Sequence, residues 1–279
     1  MSHTSAYMQL LTLVGARSQQ WLRNRIALLP TLSGSDHRHL DGVAEIAVTA
    51  SICSAYRGTA IPLETFIRDH FTSEFVAAFV ASYGDDPRHD RRGNALFRFL
   101  PPQSQADIIL GQPVTLLDRL SLAHHPDADL LAEVQAFLRT PVSPDLITEQ
   151  VIDTYARILS LSYRFGEERP RFADVRTYGD AFATCLRFAD WAERKGRLMP
   201  LAQMCYCLCL IDPDHDVAPL LADVLSSQRP DGSFPHRIGF GTADQGNEAL
   251  GPTLAVLVAL HMAIHRRWRC PQPPLPLAA

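Results

Sequence analysis

The sequence predicts an all-α protein, a stack of helical hairpins with about eleven helices joined by short turns. Three observations carry this. Apolar residues return every three or four positions along most of the chain, apolar–polar alternation never lasts beyond a few residues, and Gly-, Pro- and Asp-rich clusters break the pattern repeatedly.

The first helix reads as residues 6–28, with Leu10, Leu13, Val14, Trp21 and Leu22 on one side. Pro30 and the cluster Ser33, Gly34, Ser35, Asp36 stop it. A second spans 40–56 and ends at Gly58; a third spans 62–82 with Pro62 in its first turn. Residues 83–93 are a charged loop, followed by short helices at 94–100, 103–110 and 114–124. Residues 127–139 are amphipathic, with Leu130, Leu131, Val134 and Leu138 facing one way. Longer helices follow at 144–165 and 178–195, closed by Gly166 and Gly196, and then at 198–211. Residues 217–227 lead into a Gln-Arg-Pro-Asp-Gly turn, and 247–267 form the last helix. The whole reads as one domain over 1–269 with a Pro-rich tail at 270–279.

Composition narrows the function classes. Of 279 residues, 47% are hydrophobic and 20% charged, which is ordinary globular usage. The net charge of -4 lacks the basic surplus of a phosphate-backbone binder, so no nucleic-acid partner is expected. Residues 250–264 are apolar but shorter than the roughly 20 residues of a membrane span, and carry His261, so no membrane partner is expected either. The first seven residues lack the basic start and apolar stretch of a secretory signal. Most of the cysteines fall in apolar helical stretches, where a thiol acts as a small hydrophobe. A cytoplasmic protein with reduced thiols is the expectation.

The segment 220–234 reads LLADVLSSQRPDGSF, with Gln228 followed by Asp231, Gly232, Ser233 and Phe234, and the apolar run from Pro252 to Leu260 lies downstream. It resembles the Q-x-x-D-G-S-[FW] repeat of the terpene-cyclase and prenyltransferase type of α/α toroid. The resemblance implies that a glutamine and an aromatic pin the turn between an outer and an inner helix. Gly232 suits the backbone of such a turn, Gln228 can cap amides or carbonyls of neighbouring helices, and Phe234 should enter the seam between helices.

A wider likeness runs through Trp21-Leu22, the 43–47 segment around Glu45, Asp153-Thr154-Tyr155 and Tyr163-Arg164-Phe165-Gly166. These resemble an uncharacterised bacterial family of natural-product biosynthetic clusters with the same toroid-like end. That family's Thr-His and Thr-Asp pairs are replaced here by Arg157-Ile158 and Tyr163-Arg164. Together the two resemblances imply an α/α toroid or partial toroid in a biosynthetic pathway.

The residues then say which cavity chemistry is open. Asp212-Pro213-Asp214-His215-Asp216 superficially resembles the acidic motif of class II terpene cyclases, but its place between helices reads as helix capping. Asp85-Asp86 lies in a charged loop, away from the magnesium motif of class I enzymes. Cys205, Cys207 and Cys209 look like metal ligands as text, yet Cys207 points about 200° from the others on a helix. His261 and His265 have a metal-compatible spacing, but the final turn also suits cations at a helix C-terminus. No metal and no cofactor is therefore expected. Glu45, amid apolar neighbours, is the candidate acid or base, and His261 on the apolar face of the last helix is its candidate partner.

Tyr155, Arg157, His236, Asp244 and Thr253 are the candidate substrate-binding residues, and loop 234–246 the candidate lid. The leading expectation is a metal-free, ring-forming enzyme acting on a peptide or small-molecule intermediate, by fold analogy a dehydrated peptide. A non-catalytic partner that holds a peptide or another pathway enzyme, and a terpene-cyclase-like enzyme, are the alternatives.

Overall fold

The computed structural model describes residues 3–27, 45–46, 49, 72–74, 77, 115–123, 125–239 and 249–265. Among them are eight α-helices: α1 (His3–Ala27), α2 (Leu116–Leu122), α3 (Ala128–Arg139), α4 (Glu149–Ser162), α5 (Arg176–Lys195), α6 (Leu198–Ile211), α7 (Ala218–Ser226) and α8 (Leu250–His265). The described residues contain no strand, only an isolated bridge between Arg197 and Arg237. Among the described residues eight helices stand, where about eleven were expected along the whole chain. The expected 40–56 and 62–82 helices lie mostly outside the described residues, although 45, 46, 49, 73, 74 and 77 are helical; those at 94–100 and 103–110 lie outside them entirely.

The helix ends follow local chemistry. Thr115 and Asp118 form a reciprocal capping box on α2, Asp127 caps α3 through the Leu130 amide, and Thr148 caps α4 through that of Val151. Gly196 ends α5 in the left-handed region at φ 62°, where the Arg197 amide turns back to the Ala192 carbonyl. The single helix expected over 144–165 is divided: a 3-10 turn (Pro144–Leu146) precedes α4, and after Ser162 the chain leaves the helix. Arg164 and Phe165 adopt positive φ values of 48° and 55° ahead of Gly166 at 93°. Nothing in their residue types announces this, since left-handed backbone in an arginine or a phenylalanine costs roughly 1–2 kcal/mol. Burial of Tyr163 and Phe165, and the ion pairs of Arg164 with Glu167 and Glu168, hold the turn.

The helices pack in two rows. Helices α2, α4, α6 and α8 lie side by side in that order; α3 covers α2 and α4, while α5 and α7 cover α6. Helix α6 is the centre, with twelve of its fourteen residues buried, as an all-round apolar helix requires. The rows place the beginnings of α4, α6 and α8 at one end: Arg197, just before α6, pairs with Glu149 at the start of α4, and Met199 neighbours Gly251 at the start of α8.

Helix α1 packs against α8. Its buried stripe is Leu11, Val14, Ser18 and Leu22, whereas Leu10 and Leu13, expected inside, are 45% and 61% exposed. The cause is close approach. Gly15 meets Leu260 of α8, and Ser18 meets the turn after α7, so the smallest residues of α1 rather than its leucines mark the contact.

Candidate functional site

The Gln228 turn links α7 to α8 and is built from its own side chains. The Asp231 carboxylate accepts from the backbone and hydroxyl of Ser233 at 2.9 and 2.7 Å. Gly232 has φ 96°, and a Cβ there would lie 2.5 Å from the Arg17 carbonyl oxygen, so only glycine fits. The Gln228 amide donates to the Val14 carbonyl, the Ser18 hydroxyl and the Gly232 carbonyl at 3.0, 3.0 and 3.3 Å, and Arg17 donates to the Pro230 carbonyl at 2.7 Å. Phe234 is fully buried in the core, and its backbone N–H donates to the Thr253 hydroxyl at 3.0 Å. The turn thus joins three elements: α1, the end of α7 and the first turns of α8.

A second set of residues lies along the inner row. In α6 only Met199 and Gln203, four positions apart on one face, are partly exposed. On the adjoining helices the partly exposed positions include Asp153 and Arg157 of α4 and Gly251 and Ala255 of α8, again pairs with the same spacing. Side chains tie them across the row. The Gln203 amide donates to Asp153 Oδ1 at 2.8 Å, and Arg157 Nε donates to Asp153 Oδ2 at 2.8 Å. From across α8, half-buried Glu45 brings its Oε2 within 3.6 Å of the point where a Gly251 Cβ would stand, and Met199 Sδ lies at the same distance from that point. The positive dipole ends of α6 and α8 meet here, which favours an anionic side chain at this position.

The other expected residues go elsewhere. His261 sits ten residues beyond Gly251 on α8, or ~15 Å along the axis at about 1.5 Å per residue, so it is not assembled with Glu45. Burial, and then the neighbouring His265 ring at 4.4 Å, push its pKa down to about 4, so at pH 7 it is the neutral imidazole and not an imidazolium acid. Thr253 is fully buried and holds Phe234. Tyr155 is a core residue, packed on Phe137 and edge-on to Phe188; its hydroxyl donates to the Leu138 carbonyl, and burial pushes its pKa well up. Arg157 belongs to the inner set. His236 is exposed, and its carbonyl accepts from the Leu198 amide at 3.0 Å, which anchors the chain after the turn to the start of α6. Asp244, and the candidate lid from residue 240 onward, lie outside the described residues.

Cys205, Cys207 and Cys209 are fully buried along α6, and burial pushes the thiols of Cys205 and Cys207 well up. Among the described residues no three His, Cys, Asp or Glu side chains are grouped so as to hold a metal ion. Asp216 accepts from the Ala218 amide at 2.9 Å at the start of α7, and Asp212 from that of Asp214 at 3.0 Å, so the acidic stretch organises a turn. No helix among the described residues is long and apolar enough to cross a membrane.

Asp153, Met199, Gln203 and Ala255 were missed as site residues by sequence reasoning. Gln203 offered a signal, since it is the lone hydrogen-bonding amide in an otherwise apolar helix. Asp153, four residues before Arg157 on α4, offered another. Against family models, curated proteins and solved structures, the chain shows no match.

Proposed function

We propose that this chain is an α/α-toroid-type biosynthetic enzyme that closes a ring by metal-free acid–base chemistry, with Glu45 as its acid–base group. The observation that carries the reading is the position of Glu45, set over the first turns of α6 and α8 beside the partly exposed face of the inner row. Support for the toroid comes from the alternation of rows, from α1 meeting α8 far along the chain, and from the buried Phe234 and triply bonded Gln228 between an outer and an inner helix.

One carboxylate suffices for the chemistry. For a thiol adding to a dehydrated residue, Glu45 takes the S–H proton and the thiolate forms a bond to the β-carbon. The π electrons move to the enolate, and Glu45 returns the proton to the α-carbon. The addition conserves protons and electrons, so no second titrating residue is needed and His261 is released from the role.

The test is complementation of a deletion strain, read by mass spectrometry after thiol alkylation, because ring closure leaves the mass unchanged. The deletion should accumulate an alkylatable linear intermediate that the wild-type gene removes and Glu45→Gln does not. Full rescue by Glu45→Gln overturns the catalytic role. The fold tasks of Tyr155, Thr253 and His261 favour a second reading, a non-catalytic partner that holds a pathway peptide or enzyme. That reading requires the deletion to abolish the product and Glu45→Gln to restore it.

A further inference from the structure

We propose that the inner-row face across α4, α6 and α8 binds a hydrogen-bonding, peptide-like chain, with Gln203 and Arg157 as its specificity-determining residues. The inference rests on the reading of this face as the site and goes on to name the class of molecule it takes. The partly exposed side chains identified there are Asp153, Arg157, Met199, Gln203 and Ala255, with Glu45 at one end. None of these is aromatic, and four carry hydrogen-bonding groups. Tyr206, the aromatic residue of α6, is buried, and its hydroxyl is 2.8 Å from that of Ser160.

Isoprenoid cyclisation requires the opposite lining. A carbocation is stabilised by aromatic π-faces and is quenched by nucleophilic oxygen and by the water that charged groups retain. A chain of amides, by contrast, gains from alternating donors and acceptors fixed in place. Asp153 fixes both Arg157 Nε and the Gln203 amide nitrogen, so their orientations are set before anything binds. The small residues Gly251 and Ala255 keep the α8 side of the face low. A peptide lying along it would bring its reacting group to Glu45, about one helical turn beyond Gln203 on the Met199 side.

The test uses full-length protein labelled with 13C-methyl methionine, the Met199 signal being assigned with Met199→Leu. The probes are N-acetyl-dehydroalanine methylamide for the peptide class and farnesyl thiodiphosphate for the isoprenoid class. The dehydroalanine amide should shift the Met199 methyl and the farnesyl compound should not. Gln203→Leu should weaken the peptide probe about tenfold, the loss of one well-placed hydrogen bond to a fixed group. Ala255→Phe, which fills the face without touching the polar set, should abolish binding and serves if Gln203→Leu fails to fold.

A Met199 shift with the farnesyl compound alone, no shift with either probe, or unchanged affinity in a folded Gln203→Leu or Ala255→Phe protein overturns the proposal. Because binding is read without turnover, its failure is distinct from failure of the acid–base reading, which complementation by Glu45→Gln decides.

Discussion

At the scale of single residues, the fold depends on side chains whose surroundings change their chemistry. His261 is the clearest. In the folded chain its pKa lies near 4, against an ordinary 6.5 in the unfolded chain. Above pH 6.5 both states are neutral and the group contributes no pH dependence. Between 6.5 and 4 the unfolded chain takes up a proton that the folded chain refuses, so stability falls as the pH drops and levels off below 4. The loss is on the order of 3 kcal/mol. Thermal melts at pH 7 and pH 4.5 should show a larger drop for wild type than for His261→Leu; equal drops would mean that His261 is hydrated.

Phe234 supplies the second residue-scale prediction. It is fully buried, and Phe234→Ala should cost about 3–5 kcal/mol, a large share of a typical 5–15 kcal/mol. Denaturant unfolding measures this, and a variant as stable as wild type would remove the turn from the fold's supports. Both expectations concerning Phe234 and Gln228 were legible in the sequence through the resemblance of residues 228–234 to the toroid repeat, which implies an amide, a glycine and an aromatic plug at set spacing in one turn. The role of Thr253 was not legible. A threonine in an apolar helix says nothing of the distant amide it will satisfy.

At the scale of elements, α1 shows how packing overrides amphipathicity. Leu10 and Leu13 promise a buried face, yet α1 turns Val14, Gly15 and Ser18 toward α8 and the Gln228 turn. Backbone-to-backbone approach and the three bonds of Gln228 outweigh two partly covered leucines. Gln228→Leu should therefore cost about 1–3 kcal/mol, since it removes the amide that ties α1 to the turn and leaves the Ser18 hydroxyl alone to serve the Val14 and Gly232 carbonyls. Hydrogen exchange should locate the damage: amides of α1 should exchange faster while those of α6 keep wild-type protection. Uniform loosening would mean that the turn supports the whole core rather than the docking of α1. The expected 144–165 helix teaches the same lesson. Its periodicity runs on through Tyr163 and Phe165, but burial of those two rings is reached through a left-handed turn.

At the scale of the molecule, the order of the helices along the chain sets the two rows, and the rows gather the starts of α4, α6 and α8 at one end with Glu45. Helix class, the extent of α6 and the glycine that closes α5 were decided by the sequence, since each depends on periodicity and on backbone preference within a few residues. Only the tertiary structure decided that Glu45 and His261 lie at opposite reaches of α8, that Tyr155 and Thr253 serve the core, and that Asp153, Arg157 and Gln203 form one set. Periodicity gives the face on which a residue stands. It does not give the neighbour that face will meet, because this depends on how close two backbones approach, and here small residues and hydrogen bonds between helices distant in the chain settle it.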